Sequence, residues 1–250
     1  ALAEAFDITF SDDGERERRA HTTAWGLAWR ALGALIMTHS DEQGLVLPHT
    51  VAPTQVVVVP IWQEDTKSAV LDYAAGVADD LDDAGIRVEL DDRDGRNPGF
   101  KFNEHELNGV PLRIEVGPNE VDDDELTLVH RPDGESVVAD RAGVADTVRE
   151  QFDEVYAKLY AAAEENLAGE VREADDRDAV LGTIGRHGGY VKTPWCGDEE
   201  CEAEIKEQIA AEIVMVPFED ADSLADGDHG ETCAICGDDA ERTAYFAKSY

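Results

Sequence analysis

The sequence predicts an α/β chain, and three observations carry that expectation. The run VVVVPIW, from Val56 to Trp62, is continuously apolar, as in a strand buried on both faces. Thr66 to Ala84 follows with Ala69, Val70, Tyr73, Ala74, Val77 and Leu81 at helical spacing, ended by Gly85. Ile86 to Leu90 then supplies a second short strand. Strand–helix–strand order predicts a parallel pair joined by a right-handed crossover.

Upstream, Ala1 to Phe10 alternates weakly through Leu2, Phe6, Ile8 and Phe10 and is read as one strand of a larger sheet. The charged stretch SDDGERERRAHT is a turn or short connection. Leu27, Ala31, Ala34, Leu35 and Thr38 recur at helical spacing, so a helix packed inward is expected at or beside Arg30. Between Arg19 and Lys67, Arg30 is the one cation. A buried guanidinium is costly unless paired, so an anionic partner is expected, either a bound ligand or Asp41 or Glu42.

Downstream, Pro111 to Gly117 and Leu126 to His130 supply more strands, and PDG at 132–134 is a hairpin turn before Ser136 to Ala139. A helix from about Ala142 to Ala168 carries Val144, Val148, Phe152, Val155, Leu159 and Ala163 on one stripe. Ala203 to Glu212 reads as helix, Ile213 to Phe218 as strand, and Glu219 to Glu231 as an acidic surface loop.

With 250 residues the chain is long enough for about two domains. Asp and Glu number 57 against 21 Lys and Arg, a formal net charge of -36. A fold this acidic repels itself at low ionic strength. A cytoplasm of very high salt, where the Debye length shrinks to ~3 Å or less, accounts for it. The acidity is then a solubility device rather than a sign of a basic partner. There is no run of about 18 apolar residues and nothing resembling a signal peptide, so neither membrane span nor secretion is expected. The cysteines form two close pairs, which favours a reducing, cytoplasmic setting. The chain does not begin with Met, and a C-terminal part of a longer protein is expected. Patterns for hydride transfer, P-loop nucleotide hydrolysis and serine hydrolysis are absent.

Two stretches carry chemistry. Residues 87 to 113 hold Arg87, Arg93, Arg96, Lys101 and Arg113, interleaved with Phe100 and Phe102. Cations beside aromatic rings suit an unpaired RNA loop, since rings stack on bases for roughly 1–3 kcal/mol each. The competing reading has Asp91, Asp92 and Asp94 neutralising the arginines, with the Phe side chains in the core. Cys196-x4-Cys201 and Cys233-x2-Cys236 are the second stretch. Tetrahedral zinc takes four soft ligands, and cysteine pairs in turns deliver them two at a time. The alternative is two thiol pairs without metal.

The order of residues adds a resemblance. WG-x-x-x-R (Trp25, Gly26, Arg30), then Gly33, Ile36, Met37, His39 and Asp41, then GLVLP from Gly44 resembles the third signature motif of class II aminoacyl-tRNA synthetases in the prolyl form. The resemblance implies a strand ending at Trp25-Gly26 and a helix from about Ala28 to Met37. It also implies that Arg30 is the catalytic group lying against ATP, with Trp25, Gly26 and His39 beside the nucleotide and Mg2+ accompanying it. DDRDGRNPGFKFNEHELNGVPLRIEVGP is similar to the most recognisable segment of the prolyl enzyme's anticodon-binding domain. That match implies Arg93, Lys101 and Glu104 as contacts to anticodon bases, with Arg113 nearby; His105 stands where Trp is usual and Asn108 where Lys is usual. In the archaeal and eukaryotic group a C-terminal domain binds structural Zn2+ through four such cysteines, here Cys196, Cys201, Cys233 and Cys236. There a final Tyr, here Tyr250, turns its carboxylate toward the active site.

The implied domains are the end of a class II antiparallel-sheet catalytic domain over 1–54, a mixed-sheet α/β anticodon-binding domain over 55–140, and a linking helix with a small α+β zinc-binding domain over 141–250. The implied activity is proline–tRNA ligation, with proline, ATP and tRNA(Pro) as partners and no DNA. A homodimer through an N-terminal part absent from this sequence is also implied. The rival is a non-catalytic tRNA-binding or regulatory paralogue, because the first two class II motifs are not in these residues.

Overall fold

The computed structural model describes residues 2–217 and 232–248, and the chain divides into two compact units, Ala1–Val155 and Tyr156–Tyr250. In order, the first unit holds α1 (Leu2–Ala5), β1 (Thr9–Ser11), β2 (Glu17–Arg19), α2 (Arg30–Thr38), β3 (Ser40–Asp41), β4 (Gly44–Leu45), β5 (Val56–Pro60), α3 (Lys67–Asp83) and β6 (Val88–Leu90). It continues with α4 (Pro98–Leu107), β7 (Leu112–Val116), α5 (Pro118–Asp123), β8 (Glu125–His130), β9 (Ser136–Asp140) and the start of α6 (Val144–Glu170).

Its sheet runs β6-β5-β7-β8-β9, with β5 parallel to β6 and β7 and the β7, β8 and β9 pairs antiparallel. Central β5 is buried at every residue, as its unbroken apolar run requires. Val57 and Val59 pack with Val110 and with Phe102 of α4. Helix α3 buries Val70, Ala74, Val77, Ala78 and Leu81 and ends before Gly85, which takes the left-handed φ of +79°. Along α6 the expected stripe is buried only at Val144, Val148, Phe152 and Val155; Leu159 is half-buried and Ala163 exposed.

The first forty residues depart from expectation. Ala1 to Phe10 is not one strand, because α1 precedes β1, and β1 pairs antiparallel with β2 inside the charged stretch. Trp25 and Gly26 lie in no strand. Helix α2 forms nearly where expected but buries no residue, and Trp25, Leu27, Trp29 and Met37 stand exposed. Arg30 is exposed too, and its side chain makes no hydrogen bond or ion pair among the described residues. The helical periodicity marked a face suited to burial, and the described residues of this chain do not cover it.

The carboxylate weighed as Arg30's partner belongs elsewhere. Asp41 receives both arms of Arg131, at 2.7 and 2.9 Å, and the Arg131 side chain is only 2% exposed. Hydrogen bonding from Arg131 holds the Asp41 carboxyl down at about 2. This pair pins the β3–β4 hairpin to the sheet. Beside it, Gly44 (φ +135°) and Gly109 (φ +72°) let backbones meet: a Cβ on Gly44 would lie 2.4 Å from Leu107 Cα, and one on Gly109 would lie 2.6 Å from Leu45 Cβ.

The second unit adds β10 (Val171–Glu173), α7 (Arg177–His187), β11 (Tyr190–Trp195), α8 (Glu199–Ile209), β12 (Ala211–Met215) and β13 (Arg242–Lys248). Its sheet runs β10-β11-β13-β12, parallel at the first pair and antiparallel at the others. Val180, Ile184, Val191, Ile205, Ala244 and Phe246 form its core. Helix α8 starts four residues before Ala203 because Asp198 caps it, accepting from the Glu200 N–H at 2.9 Å. The expected strand is β12, two residues earlier than read; Phe218 and the loop 219–231 lie outside the described residues. No helix among the described residues is long and apolar enough to cross a membrane.

Asp41→Asn is expected to destabilise the first unit by about 1–3 kcal/mol in urea unfolding at neutral pH, since Arg131 stays buried without its anion. The folded pKa of Asp41 lies below the unfolded value of about 3.9. Its contribution is therefore complete above that value and lost as pH falls toward 2, so the gap between variant and parent should close over that interval.

Candidate nucleic-acid cleft and metal centre

A cleft of about 140 Å³ opens beyond the carboxyl ends of β5 and β6, lined by Pro60, Trp62, Asp94, Arg96, Pro98 and Lys101. Strand order reverses here, β5 leading to β6 on one side and α4 returning the chain to β7 on the other. Ligands of open α/β sheets bind at such switch points.

Asp91 organises this end of the sheet. Its N–H donates to the Val58 carbonyl at 2.9 Å, which seats it against β5, and it is 2% exposed. Three side chains, two of them cationic, converge on its carboxylate. Arg93 donates through Nε at 2.8 Å and Nη2 at 2.7 Å, His105 Nε2 lies at 2.9 Å, and Lys101 Nζ lies 3.7 Å from Oδ1 and 2.7 Å from the Asp91 carbonyl. Burial pushes the Asp91 carboxyl up, but hydrogen bonds from Arg93 and His105 and the charges of Lys101 and Arg93 outweigh it, holding it well below the usual range. Burial in turn lowers the Lys101 ammonium.

Helix α4 delivers these groups. The Asn97 side chain accepts from the Phe100 N–H at 2.8 Å, and Pro98 opens the first turn. Lys101, Glu104 and His105, spaced i, i+3 and i+4, then share the face turned to Asp91. Glu104 takes a second ion pair from Arg93, whose hydrogen bond lowers the Glu104 carboxyl. Trp62 lies 5.0 Å from Lys101 Nζ and 5.5 Å from Lys67 Nζ, measured to the ring centroid, and Lys67 also bonds Asp94 at 2.7 Å. Arg96 covers the Phe100 ring at 4.3 Å.

Thus Arg93, Lys101 and Glu104 come together, and Arg113 does not join them. Glu106 and Glu115 hold Arg113 at 2.8 and 2.9 Å, over the Phe102 ring. Both readings of residues 87 to 113 contain part of the outcome: Asp91 and Asp94 do take cations and Phe102 does pack inward, yet Phe100 is 41% exposed beside an open cleft. Sequence reasoning left out Trp62 and Asp91 as site residues. An aromatic and a carboxylate immediately past the ends of adjacent parallel strands were the available signal.

In the second unit the four thiols converge. The Cys196 and Cys201 sulfurs lie 3.6 Å apart, Cys196 and Cys236 lie 3.7 Å apart, and all four fall within 4.8 Å of one another. Tetrahedral zinc with Zn–S near 2.3 Å places sulfurs about 3.8 Å apart, so the donor set fits that ion. Gly197 (φ +85°) and Gly237 (φ +84°) turn the chain directly after Cys196 and Cys236. Burial pushes the Cys201 thiol up. Burial opposes ionisation of Cys233 as well, but backbone N–H groups of Cys236, Ile235 and Cys196 bring it down to about 7.

Near Arg30, Trp25 and Gly26 are exposed and His39 half-buried. Tyr250 lies outside the described residues.

Residues 55–151, which hold the first unit's five-stranded sheet, match the family described as "Anticodon binding domain". Residues 177–250 match "Prolyl-tRNA synthetase, C-terminal". The proline–tRNA ligase of Halorubrum lacusprofundi is 81% identical over 250 residues, covering all of this chain and 51% of that protein. The proline–tRNA ligase of Haloarcula marismortui is 66% identical over 251 residues, covering all of this chain and 51% of that protein. A crystal structure of prolyl-tRNA synthetase from Cryptosporidium parvum, complexed with L-proline and AMP, superposes with a TM-score of 0.87 at 32% identity, covering 100% of this chain and 51% of that one. Over its whole length the chain is similar to prolyl-tRNA synthetases, and it spans about half the length of the curated relatives it matches.

Two outcomes test the geometry. Asp91→Asn should cost about 3–5 kcal/mol in urea unfolding, because Arg93 and Lys101 lose a buried anion; a loss under about 1 kcal/mol would mean the cluster is not a coupled unit. Purified chain should carry one zinc per molecule by metal analysis, and Cys233→Ser should release it and unfold the second unit while the first retains its own transition.

Proposed function

We propose that this chain is the tRNA-reading and zinc-holding part of a cytoplasmic proline–tRNA ligase. The complete enzyme activates proline with ATP to prolyl-adenylate, releases pyrophosphate, and transfers proline to the terminal ribose of tRNA(Pro). The relatives' names and the proline and AMP bound in the Cryptosporidium parvum structure support the reaction. The observation that carries the reading is the cleft beside Asp91. A chain of net charge -36 keeps Arg96 and Lys101 together there, next to Trp62, with Arg93 on the adjoining Asp91, in the domain that matches an anticodon-binding family.

Arg93, Lys101 and Glu104 read anticodon bases by hydrogen bonding, with stacking on the exposed rings; Arg113 braces α4 against β7 from behind. Because few cations face the RNA, affinity depends on phosphate pairing less than is usual, and it survives high salt. Arg30 neutralises ATP phosphate charge alongside Mg2+, with Trp25, Gly26 and His39 around the nucleotide, once the exposed face of α2 is covered within the whole enzyme. Catalysis of this kind is positioning and charge stabilisation rather than covalent chemistry. Zinc, held by Cys196, Cys201, Cys233 and Cys236, is structural, since four protein ligands leave no open position. Tyr250 directs its carboxylate toward the active site, and the enzyme is a homodimer.

Two measurements test this. Arg93→Ala should weaken binding of a tRNA(Pro) anticodon stem-loop at least tenfold in molar KCl while leaving proline-dependent ATP–pyrophosphate exchange within a few-fold. In the full-length protein Arg30→Ala should abolish that exchange; exchange near normal would remove Arg30 from its role, and unchanged stem-loop binding would remove Arg93 from its own.

A further inference from the structure

The turn between β8 and β9 carries a cluster that neither the cleft nor the cysteines use. His130 ends β8 with its side chain fully buried. Its Nε2 lies 2.7 Å from Gln151 Oε1 on α6, and its Nδ1 has no hydrogen-bond partner among the described residues. When Nε2–H donates to the amide oxygen, Nδ1 carries an unshared electron pair. Asp133 Oδ1 lies 3.9 Å away, beyond hydrogen-bond reach. Nδ1, one oxygen of Asp133 and one of Glu135 all lie within 4.8 Å of one another.

The backbone sets this arrangement. His130 N–H donates to the Glu135 carbonyl at 2.9 Å, Gly134 N–H to the His130 carbonyl at 3.0 Å, and Glu135 N–H to Asp133 Oδ1 at 3.0 Å. Gly134 takes the left-handed φ of +70° that closes the turn.

We propose that His130 Nδ1, Asp133 and Glu135 bind one divalent first-row transition ion, with water completing its coordination. One imidazole and two carboxylates suit Mn2+, Fe2+, Co2+, Ni2+ or Zn2+, whereas Mg2+ and Ca2+ select oxygen alone. An imidazole whose second ring nitrogen donates to a side-chain oxygen has the posture of a metal ligand. The ion gives the buried lone pair a partner and draws two like charges together. Through Gln151 it ties the hairpin to α6.

The test uses zinc-saturated chain, so that the cysteine site is already filled, in molar KCl with excess Mg2+ to suppress diffuse attraction to the acidic surface. Titration with Mn2+, followed by electron paramagnetic resonance, should show one bound equivalent. Asp133→Asn and Glu135→Gln, both at exposed positions that leave His130 in place, should each weaken binding at least tenfold. In NMR spectra Mn2+ should broaden the His130 ring resonances before those of the other histidines. Mn2+ should also raise the thermal midpoint of the parent and of neither variant. Equal binding by parent and variants, or no selective broadening of His130, would overturn the site.

Discussion

A single buried carboxylate, Asp91, decides whether the cleft exists. Charged groups leave water only when they are paired, and here the strand end, the following loop and helix α4 all meet at one anion. Without it, Arg93 and Lys101 would repel one another across a few ångströms, His105 would lose its hydrogen-bond partner, and α4 would have no reason to turn that face inward. The cost of burying the carboxylate is offset by partners from both sides of the site. The same anion fixes those partners in place.

This matters more in an acidic chain than in an ordinary one. A surface of net charge -36 is tolerable only where salt screens it, and the same screening weakens any exposed ion pair. Pairs sheltered from solvent lose much less. Lys101 and Arg131 are nearly inaccessible, and each is matched to an aspartate. These two cations thus sit where molar salt reaches them least, one inside the domain that matches an anticodon-binding family and one at its junction with the preceding hairpin.

Much of the fold was legible because the physics is local. The unbroken apolar run of β5 and the stripe of α3 each report burial through period alone, and the two cysteine pairs report convergence through ligand chemistry. What was missed depended on partners distant in sequence. The stripe on α2 announces an apolar face but cannot say what covers it, so Arg30 was expected indoors and is found outdoors. Asp41 was read as a neighbour of Arg30 because it is near in sequence, whereas its partner Arg131 comes from ninety residues on. Helix α4 could have been read more fully from Asn97-Pro98, a cap followed by a proline at N1, and α7 from the Asp176 cap ahead of Val180 and Ile184.

The meeting of Gly44 with Leu107, and of Leu45 with Gly109, joins the hairpin after α2 to the last turn of α4. Nothing lies between the two main chains there that can swing aside. A rotamer change cannot loosen such a seam, and neither salt nor pH acts on it. The hairpin and the helix end must therefore travel as one piece. The end of the helix that bears Lys101, Glu104 and His105 is thus seamed, main chain to main chain, to the hairpin that follows α2.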